Sequence, residues 1–274
     1  SPQAQTIENY RRVQRDLATI YKIGNLINAE KRVDNLHERV LDAIFEVISP
    51  DRCFLMLVPE NGQDAEVVCH RHRTVVANGG RPSFSRTVTQ ECMRQGVSIL
   101  RLDAMTDEQF GKAQSVIDQN IHSVMCVPVE STDKVLGVIY VDRVATSKVF
   151  SRHNLELLTA VGRQAGIAIE RARLLAQVRR MLYSTVRALV ATIEAKDENT
   201  RGHSVRVTSY ALKLAQALGV GGDDMLTLEL ASLLHDVGKI GVEERILRKP
   251  STLSPDEVSI IRQHPVVGEE IVRN

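Results

Sequence analysis

His235 and Asp236 stand side by side in LLHDVGKIGV (233–242), a segment apolar enough to be buried, and Lys239 follows one helical turn after the histidine. An ionised aspartate left unpaired beside Leu233, Leu234 and Val237 would carry a heavy desolvation penalty. A divalent cation removes that penalty and gives the imidazole lone pair a partner. The carboxylate, with two oxygens, can bridge two ions while the imidazole holds one of them. Neighbours on a helix point about 100° apart, so the pair cannot serve one narrow face and needs a place where several helices cross. His203 at the start of one helix and His264 near the end of another are the further imidazoles that could join it. Lys239, on roughly the same side as His235, would put its ammonium at the mouth of such a site, where it suits a phosphate oxygen. Each residue also has a plain role: a core histidine hydrogen-bonds, His203 and His264 sit at helix ends, and Lys239 can be a solvated charge. Their combination points to metal chemistry.

The elements that must hold these residues are helical. HSVRVTSYALKLAQALG (203–219) is amphipathic, and DDMLTLELASLLHDVGKIG (223–241) reads as a helix opened by acidic residues and ended around Gly238. SPDEVSIIRQHP (254–265) begins with Ser254 as N-cap and Pro255 in the first turn. Upstream, KDENTRGHSVRV (196–207) is polar and contains the breaker Gly202.

A long helix leads into this region from about Ser151. Val161, Ala165, Ala168, Ala172, Leu175, Arg179, Leu182, Val186, Leu189 and Ile193 keep a 4, 3 step broken only by Arg179. Such a repeat argues for a parallel pairing of two copies of the chain, the alternative being one helix buried once in each of two domains. A first helix, roughly 5 to 29, carries the seam Tyr10, Val13, Leu17, Ile20, Gly24 and Ile27, while Ile23 and Leu26 could instead turn an apolar face toward its own domain. Between these helices, NLHERVLDAIFEVI (35–48) and SRTVTQECMRQG (85–96) are helical. CFLMLVP (53–59) and AEVVCHRH (65–72) read as strands, and IHSVMCVPVE (121–130) with KVLGVIYVDR (134–143) as a hairpin. That order implies an antiparallel sheet with helices packed on it. Cys69, His70 and His72 could suggest haem or metal, against the simpler reading that strand residues share a solvated face.

Composition narrows the classes. With 35 basic and 34 acidic residues and a net charge of +1, no broad field favours a nucleic acid polymer or an anionic membrane. Cys53, Cys69, Cys92 and Cys126 are dispersed without a CxxC pair, which suits a reducing cytoplasm. Every apolar run falls short of the roughly 20 residues a bilayer span needs. The abrupt start at Ser1 leaves room for a longer natural protein.

SVMCVPV (123–129), KVLGVIYVDR (134–143) and FSRHNLELLTAVGRQAGIAIERARL (150–174) resemble the closing half of a GAF domain, over roughly 15–175. The resemblance implies a module that senses an unknown small ligand and dimerises. The cyclic-nucleotide motif of some members is degraded here to Asp142 and Arg143, Phe150, Asn154 and Leu155, so that ligand is not carried over. RGHSVRV (201–207), LLHDVGKIGV and ILRKPSTLSPDEVSIIRQHPVVG (246–268) closely resemble the HD-GYP branch of the HD phosphohydrolases, over about 183–274. That resemblance implies iron or manganese ions and cyclic di-GMP as the substrate, cut to a linear dinucleotide or to GMP. His203, His235, Asp236 and His264 fall on its metal-ligand positions, and Lys239 falls on the lysine that contacts phosphate. Asp236 and Lys239 are thereby the catalytic candidates. Asn199 falls where some members have a glutamate for a third metal, so two ions are expected rather than three.

The expected organisation is an N-terminal helix over 1–30, possible in dimerisation, and an α+β GAF-like domain over 31–160. A connecting coiled-coil helix over 161–195 then joins it to an all-α HD-type domain, incomplete in this chain, over 196–274. The later paired histidines, a further aspartate and the Gly-Tyr-Pro stretch of the family are absent before Asn274. Four ligands are expected to hold at most one well-coordinated ion, and this chain by itself is expected to be inactive. Two other readings remain: a non-catalytic sensor and dimerisation protein with a degenerate HD domain, and an HD phosphohydrolase acting on another nucleotide.

Overall fold

The structure, a computed structural model, describes residues 2–28, 33–59, 62, 64–73, 84–102, 122–132, 134–144, 149–196 and 202–273. It divides into two compact units, Ser1–Leu175 and Ala176–Asn274.

In the first unit, α1 (Pro2–Asn28) and α2 (Val33–Val47) precede β1 (Arg52–Leu57) and β2 (Glu66–His72). Then come α3 (Arg86–Gln95), β3 (Ile99–Arg101), β4 (Ser123–Glu130), β5 (Val135–Arg143) and α4 (Arg152–Lys196). The strands form an antiparallel sheet in the order β2-β1-β5-β4-β3. Its two faces follow from the period-2 alternation of strand side chains. Cys53, Leu55 and Leu57 pack with Ile23 and Ile27 of α1, Val40 and Ile44 of α2, and Leu158 and Val161 of α4. Phe54 and Met56 face the other way, with Cys92, Cys126, Val138 and Tyr140. Burial on both faces is why β1, β4 and β5 read as nearly continuous apolar runs.

The strands expected from the sequence are present, β1 pairing with β2, and the expected hairpin pairs β4 with β5. β3 was not legible: three residues are too few to show an alternation. In α1, Ile23 and Ile27 are buried on the unit's own core, whereas Tyr10, Leu17 and Leu26 are exposed. The end of that helix therefore turns inward on Ile23. In α4 the long seam has three parts. Val161, Ala165, Ala168 and Ala172 are buried in the first unit, Leu175, Leu182 and Leu189 are exposed, and Ile193 is buried in the second, as is Val190 beside the seam.

The second unit continues with α5 (His203–Ala217), α6 (Asp223–Leu234), a tight 3₁₀ turn (Val237–Gly241), α7 (Glu244–Leu247), α8 (Pro255–Ile261) and α9 (His264–Arg273). Two boundaries differ from the sequence reading. α6 ends at Leu234 rather than near Gly238, because Asp236 leaves the helical region at φ −102°, ψ 7° and the chain tightens into the 3₁₀ turn. His264 opens a new helix instead of closing α8. Pro265 lacks an N–H and is suited to a first turn, where no intrahelical donor is needed. Ser254 caps α8 as the sequence suggested, in a reciprocal pair with Glu257.

Candidate metal centre

The end of α6 separates His235 from Asp236 in direction, and the turn that follows brings both to the start of α5. One ligand atom from each of His203, His235 and Asp236 lies within 4.8 Å of the others. The His203 and His235 ring centroids are 5.4 Å apart. His264, at the start of α9, places Nε2 3.4 Å from Asp236 Oδ1, and His235 places Nε2 3.5 Å from Asp236 Oδ2.

The other ring nitrogens define the tautomers. His235 Nδ1 is 2.9 Å from the carbonyl oxygen of Ser232, and His264 Nδ1 is 2.8 Å from that of Ile261. A carbonyl oxygen only accepts, so each Nδ1 carries a proton and Nε2 is the nitrogen left to serve as a ligand. Two Nε2 atoms therefore face one carboxylate, each ring fixed by a backbone bond. Such anchoring of the far nitrogen is what orients metal-ligating imidazoles. The mutually close donors of His203, His235 and Asp236, two imidazoles and a carboxylate, suit a borderline divalent ion, and His264 approaches the other carboxylate oxygen.

Lys239 donates from Nζ to Asp236 Oδ2 at 2.8 Å, both side chains being 15% exposed. Burial pushes the Asp236 carboxyl up, but the hydrogen bond and charge of Lys239, with the charges of His235 and His264, outweigh it and hold the group below its ordinary value. The resulting stabilisation is present above the ordinary aspartate range and is lost as pH falls through the depressed folded value. In acid melting series, wild type is expected to lose stability more steeply below that range than Asp236→Asn. Parallel curves would remove the assigned role of the carboxylate.

One participant was not singled out in the sequence. Glu194, near the end of α4, accepts from the Gly202 N–H through Oε2 at 2.6 Å and from the Ser204 N–H through Oε1 at 3.0 Å, on either side of His203. With Ile193, Ser204, Leu233 and Asp236 it also lines a small cavity. The available signal was indirect: α5 begins at a glycine with no side chain to cap it. Asn199 lies outside the described residues.

The GAF-side candidates do not converge. Cys69 donates its thiol to Glu38 Oε1 at 3.1 Å, whereas His70 and His72 stack on Phe54 on the opposite face of β2. The residues of the degraded motif have structural partners. Asp142 is fully buried and takes two bonds from Arg52, at 2.7 and 2.6 Å. The Arg143 guanidinium lies over the Phe150 ring, and Asn154 caps the start of α4 through Ser151.

Residues 33–169, half of the chain, match the GAF domain family. The chain belongs to the GAF domain family. Behind its GAF domain, residues 200–274 match the HD domain, a span that contains His203, His235, Asp236, Lys239 and His264. A protein of Xanthomonas campestris named cyclic di-GMP phosphodiesterase response regulator RpfG is 32% identical over 113 residues, covering 40% of this chain and 30% of the relative. A Thermotoga maritima cyclic di-GMP phosphodiesterase is 34% identical over 91 residues, 33% of this chain and 25% of the relative. A Vibrio cholerae 3'3'-cGAMP-specific phosphodiesterase 2 is 31% identical over 136 residues, 50% of this chain and 26% of the relative. The GAF–HD chain thus spans under a third of the length of each of these relatives. Among its described residues, no helix is long and apolar enough to cross a membrane.

Proposed function

We propose that this GAF–HD protein is a metal-dependent phosphodiesterase of cyclic di-GMP whose reaction site lies in its HD unit and whose GAF domain regulates it. The observation that carries this reading is the pairing of His235 and His264, each anchored through Nδ1 and each presenting Nε2 to Asp236. His203, His235, Asp236 and His264 would hold iron or manganese, as two ions in the complete site. The bound metal supplies Lewis acidity toward the phosphate and activates a water. Asp236 holds Lys239 through Oδ2, which keeps the ammonium at the edge of the site. From there it neutralises a phosphate oxygen as negative charge develops on it. The names of the relatives support a cyclic dinucleotide as substrate class.

The Vibrio cholerae relative named for 3'3'-cGAMP favours a second reading, in which the same site prefers the mixed dinucleotide. Both substrates present the same kind of phosphodiester and differ in one base, so Lys239 would serve either. For regulation, the exposed Leu175, Leu182 and Leu189 of α4 suit a parallel homodimer, and a small ligand of unknown chemistry would act through the GAF domain. Free cysteines at 53, 69, 92 and 126 suit a reducing cytoplasm.

The test is hydrolysis by the intact protein. Lys239→Met is expected to lower kcat/KM for cyclic di-GMP by about 10²- to 10³-fold while metal content stays at the wild-type level. Wild-type kinetics in that variant would end the assignment of Lys239, and faster turnover of 3'3'-cGAMP than of cyclic di-GMP would establish the second reading.

A further inference from the structure

The last turn of α4 grips both halves of the candidate site. α5 starts at Gly202 with φ +67°, a left-handed conformation that favours glycine, and no side chain of its own caps the helix. A Cβ there would also come within 3.2 Å of Arg206 Nη1. The first amides of α5 need an acceptor from elsewhere. Glu194 provides it, with one oxygen on the N–H before His203 and one on the N–H after it. Its negative charge also opposes the positive end of the helix.

Two residues further on, Lys196 donates from Nζ to the carbonyls of Ile240, at 2.9 Å, and Val242, at 2.5 Å. These carbonyls belong to the segment that begins with Asp236 and Lys239. Arg248 returns to the same turn, donating to the carbonyls of Ala195 at 2.9 Å and Lys196 at 3.2 Å. Those are the end carbonyls of α4, where a cation is favoured. One helical turn is thereby bonded to the element carrying His203 and to the element carrying His235, Asp236 and Lys239.

We propose that Glu194 and Lys196 are positioning residues: the last turn of α4 fixes the separation of His203 from the His235–Asp236 segment and so sets the affinity of the site for its divalent ion. This inference rests on the metal reading above. A displacement of that turn changes both halves at once, so the long helix acts on the site through two named side chains.

The test is titration of the intact protein with Mn²⁺, for wild type, Glu194→Gln, Lys196→Met and a control, Glu229→Gln, which removes a carboxylate bonded to Tyr183 at 2.6 Å away from the site. Glu194→Gln keeps the shape but only one accepting oxygen. Glu194→Gln and Lys196→Met are each expected to weaken Mn²⁺ binding by about tenfold or more and to change the visible spectrum of the Co²⁺-loaded protein. The control should leave both unchanged. Wild-type affinity and an unchanged Co²⁺ spectrum in both variants would overturn this inference alone. No Mn²⁺ uptake by wild type would overturn it together with the metal reading. Loss of cooperative melting in both variants, with the control intact, would assign the two residues to folding and overturn the inference as well.

Discussion

Gly238→Ala is expected to open the site from behind. A Cβ at this position would lie 1.9 Å from the carbonyl oxygen of His264 and 2.6 Å from the amide nitrogen of Gly268. Both are backbone atoms, so no rotamer change can make room. Restoring an ordinary contact of 3.4 Å requires the 3₁₀ turn and α9 to separate by about 1.5 Å. Because α9 carries His264, its Nε2 leaves Asp236. Overpacking of this kind costs roughly 1–3 kcal/mol, and a misplacement of about 1 Å at a reacting centre can cost about 10²-fold in rate. Calorimetric melting and Mn²⁺ titration of the variant should both shift downward. Wild-type values in the two measurements would mean that the backbone contact between Gly238 and α9 does not set the position of His264.

The second large effect is expected from His235→Ala combined with Asp236→Ala. The pair supplies the carboxylate on which His235 and His264 converge, together with one of those two rings. Its removal takes the Asp236 carboxylate away from His203 and His264. Hydrolysis of cyclic di-GMP by the intact protein should fall by at least about 10³-fold, or about 4 kcal/mol in activation free energy. Residual activity within tenfold of wild type would place the chemistry elsewhere.

The site was legible where chemistry conflicted with burial. A histidine and an aspartate among Leu233, Leu234 and Val237 require a partner, and together with His203, His264, Lys239 and the resemblance to the HD-GYP branch they pointed to a cation. The sheet was legible for a similar reason: β1, β4 and β5 are buried on both faces and carry apolar runs bounded by polar turns. The limits of α6 and α8 were less so. Periodicity continues through His235 and Gln263, whereas the chain breaks at Asp236 and restarts at His264 for reasons of backbone contact and proline chemistry.

Cys69 illustrates a signal present but not used, since alternation along a strand already sets it opposite His70 and His72. Glu194 had no comparable signal. It acts on amides of residues 202 and 204, and a bond from a side chain to distant backbone leaves no pattern in residue types. The GAF-side motif was read as degraded, and Asp142 and Arg143 indeed have structural partners, partly buried Arg52 and the Phe150 ring.

The most direct measurement is iron and manganese quantitation on the intact, purified protein, before and after Mn²⁺ loading, beside the His235→Ala, Asp236→Ala double variant. A cation clasped by His203, His235, Asp236 and His264 predicts stoichiometric divalent metal in wild type and its loss in the double variant. Metal-free wild type after loading, or equal metal content in the two proteins, would contradict it.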